Sequence, residues 1–150
     1  MADLGRWSFG KDVPEIFGSE RGGTRPQKGV AKLLSEVEAR KFAQLWVEAW
    51  NEHDLDAVMS RYAADVVLTS PTAARLLGDA SGRVVGKDAV RRYFERGLEA
   101  YPELRFELLD VMWGISSVVL YYVNQKGTRT AEFMELNDAG SVVRVVANYN

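Results

Sequence analysis

The stretch from Phe42 to Pro71, FAQLWVEAWNEHDLDAVMSRYAADVVLTSP, decides the fold of this chain. Its first part predicts an amphipathic helix, because apolar residues recur at the spacing of a helix face. These residues are Phe42, Leu45, Trp46, Ala49 and Trp50. A polar turn follows, and Asp54 is a good N-cap for a short second helix. Residues 65–70 then predict a strand that ends at Pro71.

Upstream of this stretch, Ser35 and Glu38 form the Ser-x-x-Glu pattern of a capping box, so the first helix is predicted to begin there. Residues 1–34 are predicted to form an irregular arm, because glycine and proline recur in them without a period. The arm also carries large apolar side chains. It is therefore expected to pack on the surface of its own domain, on a partner subunit or over a pocket mouth.

Downstream, residues 72–86 predict a loop with a short strand at residues 83–85. A third helix is predicted from Asp88 to Ala100, with Pro102 beyond its end. Four strands then follow over residues 104–113, 117–124, 128–136 and 142–149, separated by short turns. Helices followed by an antiparallel meander predict the α+β class.

The bulk composition excludes several classes of function. Of 150 residues, 47% are apolar, and 19 basic residues stand against 21 acidic ones. This balance lacks the basic stripe of a nucleic-acid-binding surface, and no apolar run approaches the roughly 18 residues of a membrane span. The chain has no cysteine and one histidine, which excludes thiolate and multi-histidine metal sites. The missing cysteines and the lack of a secretory signal in MADLGRWSFGKD predict a cytoplasmic location.

Three segments carry a resemblance to a known family: WNEHDLDAV at residues 50–58, YAADVV at residues 62–67 and GKDAVRRYF at residues 86–94. They resemble the NTF2-like superfamily, in its SnoaL-like and ketosteroid-isomerase-like branch. The resemblance covers a domain of residues 35–150. It implies a cone-shaped α+β barrel, in which three N-terminal helices pack on a strongly curved, mainly antiparallel sheet and enclose a pocket. It also implies a homodimer through the back of the sheet and no cofactor.

The resemblance also implies which positions correspond to the functional residues of ketosteroid isomerases. Trp46 falls at a tyrosine of the oxyanion hole, Ser70 at the aspartate base, and Glu132 at the acid of the oxyanion hole. A serine hydroxyl is too weak a base to remove a carbon-bound proton, and an indole can donate only its N–H. The chain is therefore predicted not to be a ketosteroid isomerase. It is also predicted not to be an epoxide hydrolase, because Ala147 stands at or near the late-strand aspartate of those enzymes.

Glu132 is the candidate catalytic acid or base. Strand alternation within the same alignment predicts that Glu132 and Met134 point into the pocket, and that Tyr121 does so from the preceding strand. A carboxyl group in such apolar surroundings would be desolvated, which raises its pKa. The alternative is a glutamate that reaches solvent or pairs with Arg129 or Arg144.

Hydroxyl and aromatic side chains supply the other predicted ligand contacts. The tyrosine hydroxyls would orient a ligand oxygen, and the alternative for each is a core tyrosine with its hydroxyl satisfied. His53 and Asp54 are expected to be turn residues rather than a catalytic dyad. The predicted substrate-binding residues are Trp46, Tyr62, Ser70, Tyr93, Phe94, Tyr121, Met134 and Tyr149, and no metal ligand is predicted.

The sequence leaves three functions open. The first is a cofactor-independent isomerase, cyclase or dehydratase that acts on a hydrophobic, oxygenated substrate, with Glu132 transferring the proton. The second is a non-catalytic domain that binds a hydrophobic small molecule in the same pocket. The third is a dimerising module whose pocket is filled by its own aromatic side chains. A cavity of roughly 300 Å³ or more would favour the first two, and a solvent-facing Glu132 would exclude the first.

Overall fold

The computed structural model describes residues 34–150. The predicted arm, residues 1–34, lies outside this range except for its last residue. The helices of the described range are α1 (Glu36–Asn51), α2 (Leu55–Met59), α3 (Pro71–Leu77) and α4 (Lys87–Ala100). Its strands are β1 (Tyr62–Thr69), β2 (Arg83–Val85), β3 (Phe106–Trp113), β4 (Ser117–Asn124), β5 (Arg129–Leu136) and β6 (Val142–Tyr149).

The capping box at the start of α1 is confirmed. The Ser35 hydroxyl accepts a hydrogen bond from the backbone N–H of Glu38 at 3.2 Å, and the Glu38 carboxylate accepts one from the backbone N–H of Ser35 at 3.0 Å. These two bonds satisfy N–H groups that the first turn of a helix leaves free. Phe42, Trp46, Ala49 and Trp50 of the predicted apolar stripe are buried in the core, whereas Leu45 is 36% exposed, so its predicted place in the stripe is wrong. The local signals and the packing therefore agree in placing this helix.

The turn between α1 and α2 is hydrogen-bonded to β3 and to the residues just before it. The side-chain amide of Asn51 donates to the carbonyl oxygen of Phe106 at 2.9 Å, and its oxygen accepts from the N–H of Phe106 at 2.7 Å. Asp54 caps α2 by accepting from the N–H of Ala57 at 3.0 Å. The ring nitrogen Nε2 of His53 lies 2.9 Å from the carbonyl oxygen of Leu104. His53 and Asp54, which were predicted to be turn residues, therefore both have structural partners.

The six strands form one sheet in the order β2-β1-β6-β5-β4-β3. β1 runs parallel to β6, and the other neighbours are antiparallel. The register shifts within β1–β6, β3–β4 and β5–β6, and bulges of this kind bend a sheet and increase its twist. The sheet is curved and does not close, and the helices pack on its concave side. The predicted α+β cone is confirmed.

The predicted loop at residues 72–86 is wrong over its first part, which forms the short helix α3. Ser70 has extended backbone angles, and its hydroxyl accepts from the N–H of Thr72 at 3.1 Å, as an N-cap does. Pro71 fits the first helical turn, where a missing N–H costs nothing. Gly78 then ends the helix in the left-handed conformation. The same proline thus ends one element and begins the next, and the three predicted helices are joined by a fourth.

Candidate functional site

A cavity of about 460 Å³ lies between the helices and the concave face of the sheet. Its aromatic walls come from four elements, with Trp50 on α1, Phe94 on α4, Phe106 on β3 and Tyr122 on β4. These rings pack on one another: the ring centroids of Trp50 and Phe94 are 4.7 Å apart, and those of Phe106 and Tyr122 are 4.5 Å apart. Rings that contact each other in this way form a rigid apolar wall.

Glu132 is the one carboxylic acid among the described residues that line this cavity. It is 7% exposed, and the hydroxyl of Tyr122 donates to its Oε2 at 2.5 Å. Burial raises the pKa of Glu132 from 4.5 to about 7, although the bond from Tyr122 opposes this by stabilising the charged form. Within residues 34–150, its other oxygen, Oε1, has no hydrogen-bond partner. At neutral pH both protonation states of Glu132 are therefore populated, and one oxygen is free for a ligand.

Four tyrosines lie within the electrostatic reach of Glu132: the buried Tyr62, Tyr93 and Tyr122, and Tyr149, which is 39% exposed. Burial raises the pKa of each phenol above its ordinary value, and the charge of Glu132 raises it further. All four phenols are therefore protonated at neutral pH and can act as hydrogen-bond donors.

Ser70 joins two of these phenols in a hydroxyl cluster on another part of the wall. The Ser70 hydroxyl lies 3.2 Å from the hydroxyl of Tyr149 and accepts from the hydroxyl of Tyr93 at 3.5 Å. The positive charge of Arg75, on α3, lowers the pKa of both phenols against the larger effect of burial. The Ser70–Tyr93–Tyr149 cluster is therefore suited to an oxygen atom that carries negative charge.

Gly82 fixes the backbone beside this cluster. Its carbonyl oxygen accepts from the N–H of Ser70 at 2.9 Å, and its φ is +60°. A Cβ atom at Gly82 would lie 2.5 Å from the carbonyl oxygen of Ser70, whereas one at Gly78, with φ of +67°, would meet open space. Only glycine combines this backbone conformation with this close approach.

We expect Gly82→Ala to lower the free energy of unfolding by about 1–3 kcal/mol more than Gly78→Ala, since overpacking adds to the left-handed strain that both variants share. Urea denaturation of the two variants and the wild type measures this difference. Equal losses in the two variants would show that the approach to Ser70 imposes no constraint.

The structure places the predicted contact residues in the cavity wall, in the adjoining core or on the back of the sheet. Residues that line the cavity are Trp46, Ser70, Tyr93, Phe94, Glu132 and Tyr149. Tyr62 and Met134 are buried in the adjoining core and are not among the lining residues. The indole N–H of Trp46 donates to the hydroxyl of Tyr62 at 3.1 Å, so it is already used within the protein.

The prediction that Tyr121 faces the cavity is wrong. β4 pairs with β5 so that Leu120 lies opposite Glu132 and Tyr122 lies opposite Thr130. Paired residues share a face of a sheet, so Tyr122 points with Glu132 into the cavity and Tyr121 points to the back. A one-residue error in register moves every side chain of a strand to the other face.

Sequence reasoning missed several residues that line the cavity. The missed residues include Tyr122, Phe106, Thr130, Arg75, Tyr101 and Lys126. The turn around Lys126 carried a usable signal, because counting back from its centre pairs Tyr122 with Thr130. Arg75 was missed because its helix was interpreted as a loop.

Replacing Tyr122 by phenylalanine is expected to raise the pKa of Glu132 above its wild-type value, because the bond from Tyr122 favours the ionised carboxylate. Tyr121→Phe is the matched control, since it removes the neighbouring hydroxyl on the opposite face. NMR titration of the Glu132 carboxyl in both variants measures the effect. A pKa that is unchanged by Tyr122→Phe would mean that this hydrogen bond does not influence the carboxyl.

No group of three or more His, Asp or Glu side chains in residues 34–150 is arranged to hold a metal ion. Over the same range, no helix combines the length and apolar character that crossing a membrane requires.

The sequence of the chain is similar to that of a known family. The family model of the SnoaL-like domain matches residues 43–148. No curated protein matches the chain. Among solved structures, a SnoaL-like protein of unknown function from Burkholderia thailandensis is 34% identical, with a TM-score of 0.76. That match covers 79% of this chain and 99% of the other.

More distant structures share the fold at lower identity. A proposed isomerase of the SnoaL-like family from Agrobacterium tumefaciens is 17% identical over 76% of this chain and 98% of its own, with a TM-score of 0.62. A proposed polyketide cyclase from Sinorhizobium meliloti is 16% identical over 72% of this chain and 94% of its own, with a TM-score of 0.60. The family model and the close structural relative agree, and the chain belongs to the SnoaL-like family of the NTF2-like superfamily.

Proposed function

We propose that this protein is a cofactor-independent enzyme of the isomerase, cyclase or dehydratase type, which moves a proton on a hydrophobic, oxygenated small molecule. The observation that carries the proposal is the buried carboxyl of Glu132, whose pKa is raised to about 7 in the wall of the cavity. A group with a pKa near the working pH can both accept and donate a proton efficiently. The cavity, at about 460 Å³, exceeds the roughly 300 Å³ that drug-sized ligands need.

Two polar regions of the cavity take different roles in this reaction. Ionised Glu132 accepts a proton from the substrate through Oε1, and the electron pair of the broken bond moves toward a substrate oxygen. The Ser70–Tyr93–Tyr149 cluster donates hydrogen bonds to that oxygen as its negative charge develops. Glu132 then returns the proton to another atom of the substrate, which restores the starting enzyme. In a dehydratase the proton is returned to a departing hydroxyl, which leaves as water.

A buried polar atom without a partner supports a ligand in this cavity. Among the described residues, Nε1 of Trp50 is buried and has no hydrogen-bond partner. The Trp50 side chain lines the cavity. An unsatisfied buried polar group costs about 1–3 kcal/mol, and such groups are concentrated where a structure serves function rather than stability.

A second candidate is ligand binding without catalysis. The bond between Tyr122 and Oε2 of Glu132 favours it, because that bond already gives the carboxyl a partner within the protein. In this case the same cavity would hold the ligand, and Glu132 would fix its orientation by accepting a hydrogen bond. Both candidates predict binding, and only the first predicts turnover that depends on Glu132.

The proposal is tested by screening steroid-like, polyketide-like and terpenoid compounds for binding, and by solving the structure of the protein with each compound that binds. Compounds that bind are then incubated with the wild type and with Glu132→Gln. We expect an isomerised, cyclised or dehydrated product from the wild type alone. Binding with no product from either protein would support the non-catalytic candidate.

We also propose that two copies associate through the back of the sheet. Tyr121, Phe133 and Val146 lie half-buried on this face, next to the ion pair of Arg144 and Glu135 at 3.3 Å. An apolar face with a polar border is typical of an interface between subunits.

Light scattering of the wild type is expected to give the mass of a dimer, and Phe133→Glu is expected to give that of a monomer, since the variant puts a charged group into the apolar part of the proposed interface. Val37→Glu, on the exposed side of α1, serves as the control and should remain dimeric. A monomeric wild type would contradict the proposal.

A further inference from the structure

Two positive side chains meet where the cavity opens to solvent. Arg75 on α3 and Lys126 in the turn between β4 and β5 are both exposed and both line the cavity. Tyr101, which follows α4, lies between them. Its hydroxyl accepts from Nη2 of Arg75 at 3.1 Å, and Nζ of Lys126 lies 4.4 Å from the centroid of its ring. Tyr101 therefore contacts both Arg75 and Lys126 at the opening of the cavity, although these two residues are far apart in sequence.

Neither cation has an acidic partner in the described part of the chain. The ion pairs there join Arg40 with Glu36, Arg91 with Asp56 and Glu95, and Arg144 with Glu135. Two positive charges without an acidic partner in residues 34–150, beside a low-dielectric cavity, create a positive potential that attracts and orients an anion.

The part of the cavity around Glu132 is unsuited to that anion. Trp50, Phe94 and Phe106 form an apolar wall, and Glu132 repels a second negative charge once it is ionised. A ligand with one anionic end is therefore held in a single direction, with that end at the opening. Carboxylate fits the opening well, because an arginine side chain can donate two parallel hydrogen bonds to it and a lysine adds a point charge.

We propose that the pocket selects apolar carboxylic acids, whose carboxylate binds between Arg75 and Lys126 while the hydrophobic body extends along the aromatic wall toward Glu132. This inference rests on the proposed function in one respect: the end of the ligand that lies near Glu132 is taken to be the end that reacts. The carboxylate takes no part in the chemistry. It sets which compounds enter and which of their atoms reach Glu132.

The test compares biphenylacetate with biphenylacetamide, which has the same apolar body without the charge. Isothermal titration calorimetry with the wild type is expected to show about tenfold tighter binding of the acid, the gain expected from charge-assisted hydrogen bonds at a partly exposed site. The preference should shrink at high salt, since ions screen exposed charges.

Single substitutions then show which side chains cause the preference for the acid. Arg75→Gln and Lys126→Gln are each expected to weaken binding of the acid about fivefold and to leave binding of the amide unchanged. Arg83→Gln removes an exposed arginine that does not line this cavity and is the matched control. Tyr101→Phe removes the hydroxyl that holds Arg75, and we expect a smaller loss for the acid.

Equal affinities for acid and amide, failure of both to bind, or an acid preference that survives both glutamine variants would each overturn the proposal. The same titration with Glu132→Gln separates this proposal from the proposed function. The preference for biphenylacetate must persist in Glu132→Gln, because this substitution changes only the inner end of the cavity and leaves the opening intact. If Glu132→Gln loses turnover but the wild type shows no preference for the acid, the proposed enzyme function stands and the proposed carboxylate site is excluded.

Discussion

Glu132→Gln is expected to lower kcat by about 10²- to 10⁴-fold on any substrate that the screen identifies, which is the usual contribution of a general acid or base. The amide has nearly the same shape as the carboxyl and still contacts the ligand, but it cannot exchange a proton. KM should therefore change little. Glu135→Gln is the matched control, because Glu135 lies on the back of the same strand and pairs with Arg144. Turnover within about twofold of the wild type in Glu132→Gln would exclude proton transfer by this residue.

The pH dependence of the same reaction tests the direction of proton transfer. When ionised Glu132 accepts the proton, kcat/KM for a neutral substrate rises with pH and levels off above the pKa of about 7. A rate that falls as pH passes through this value would mean that the protonated acid starts the reaction.

The stability of the protein is expected to depend on pH in the opposite sense. The pKa of Glu132 is 4.5 in an unfolded chain and about 7 in the folded protein, so the folded protein keeps a proton that the unfolded chain releases. The contribution to stability is complete below pH 4.5 and is lost as pH rises to about 7. The loss amounts to about 3 kcal/mol over this window.

Urea denaturation of the wild type and of Glu132→Gln at a series of pH values measures this loss. The difference between the two proteins cancels the other titrating groups that they share. We expect the wild type to lose stability relative to Glu132→Gln as pH rises, since glutamine is never charged. A constant difference across the window would mean that Glu132 titrates alike in the folded and unfolded chains.

Some elements could be predicted from sequence because several independent signals agreed. Phe42, Trp46 and Trp50 repeat with a helical period over several turns, and the cap at Ser35 fixes where that helix begins. Glu132 was assigned to the pocket by its correspondence with the family's acid, and the structure places it on the buried face of β5. For α1, the sequence period and the packing carry the same information.

Other features could not be predicted, because the local sequence fits two structures equally well. Residues 118–123 are all apolar or aromatic, so nothing within β4 distinguishes the face of Tyr121 from that of Tyr122. Only the pairing with β5 decides it, and that pairing is set by the turn. Arg75 and Lys126 are far apart in sequence, and only the tertiary fold brings both to Tyr101.

The central claim is that the Glu132 carboxyl titrates near neutral pH inside the cavity. Its pKa can be measured directly by NMR, with ¹³C at the glutamate carboxyl positions and the Glu132 signal assigned by its absence from Glu132→Gln. The predicted midpoint of the titration is about 7. A midpoint near 4.5, the ordinary value for a glutamate, would show that burial does not perturb the carboxyl and would contradict the proposed role of Glu132.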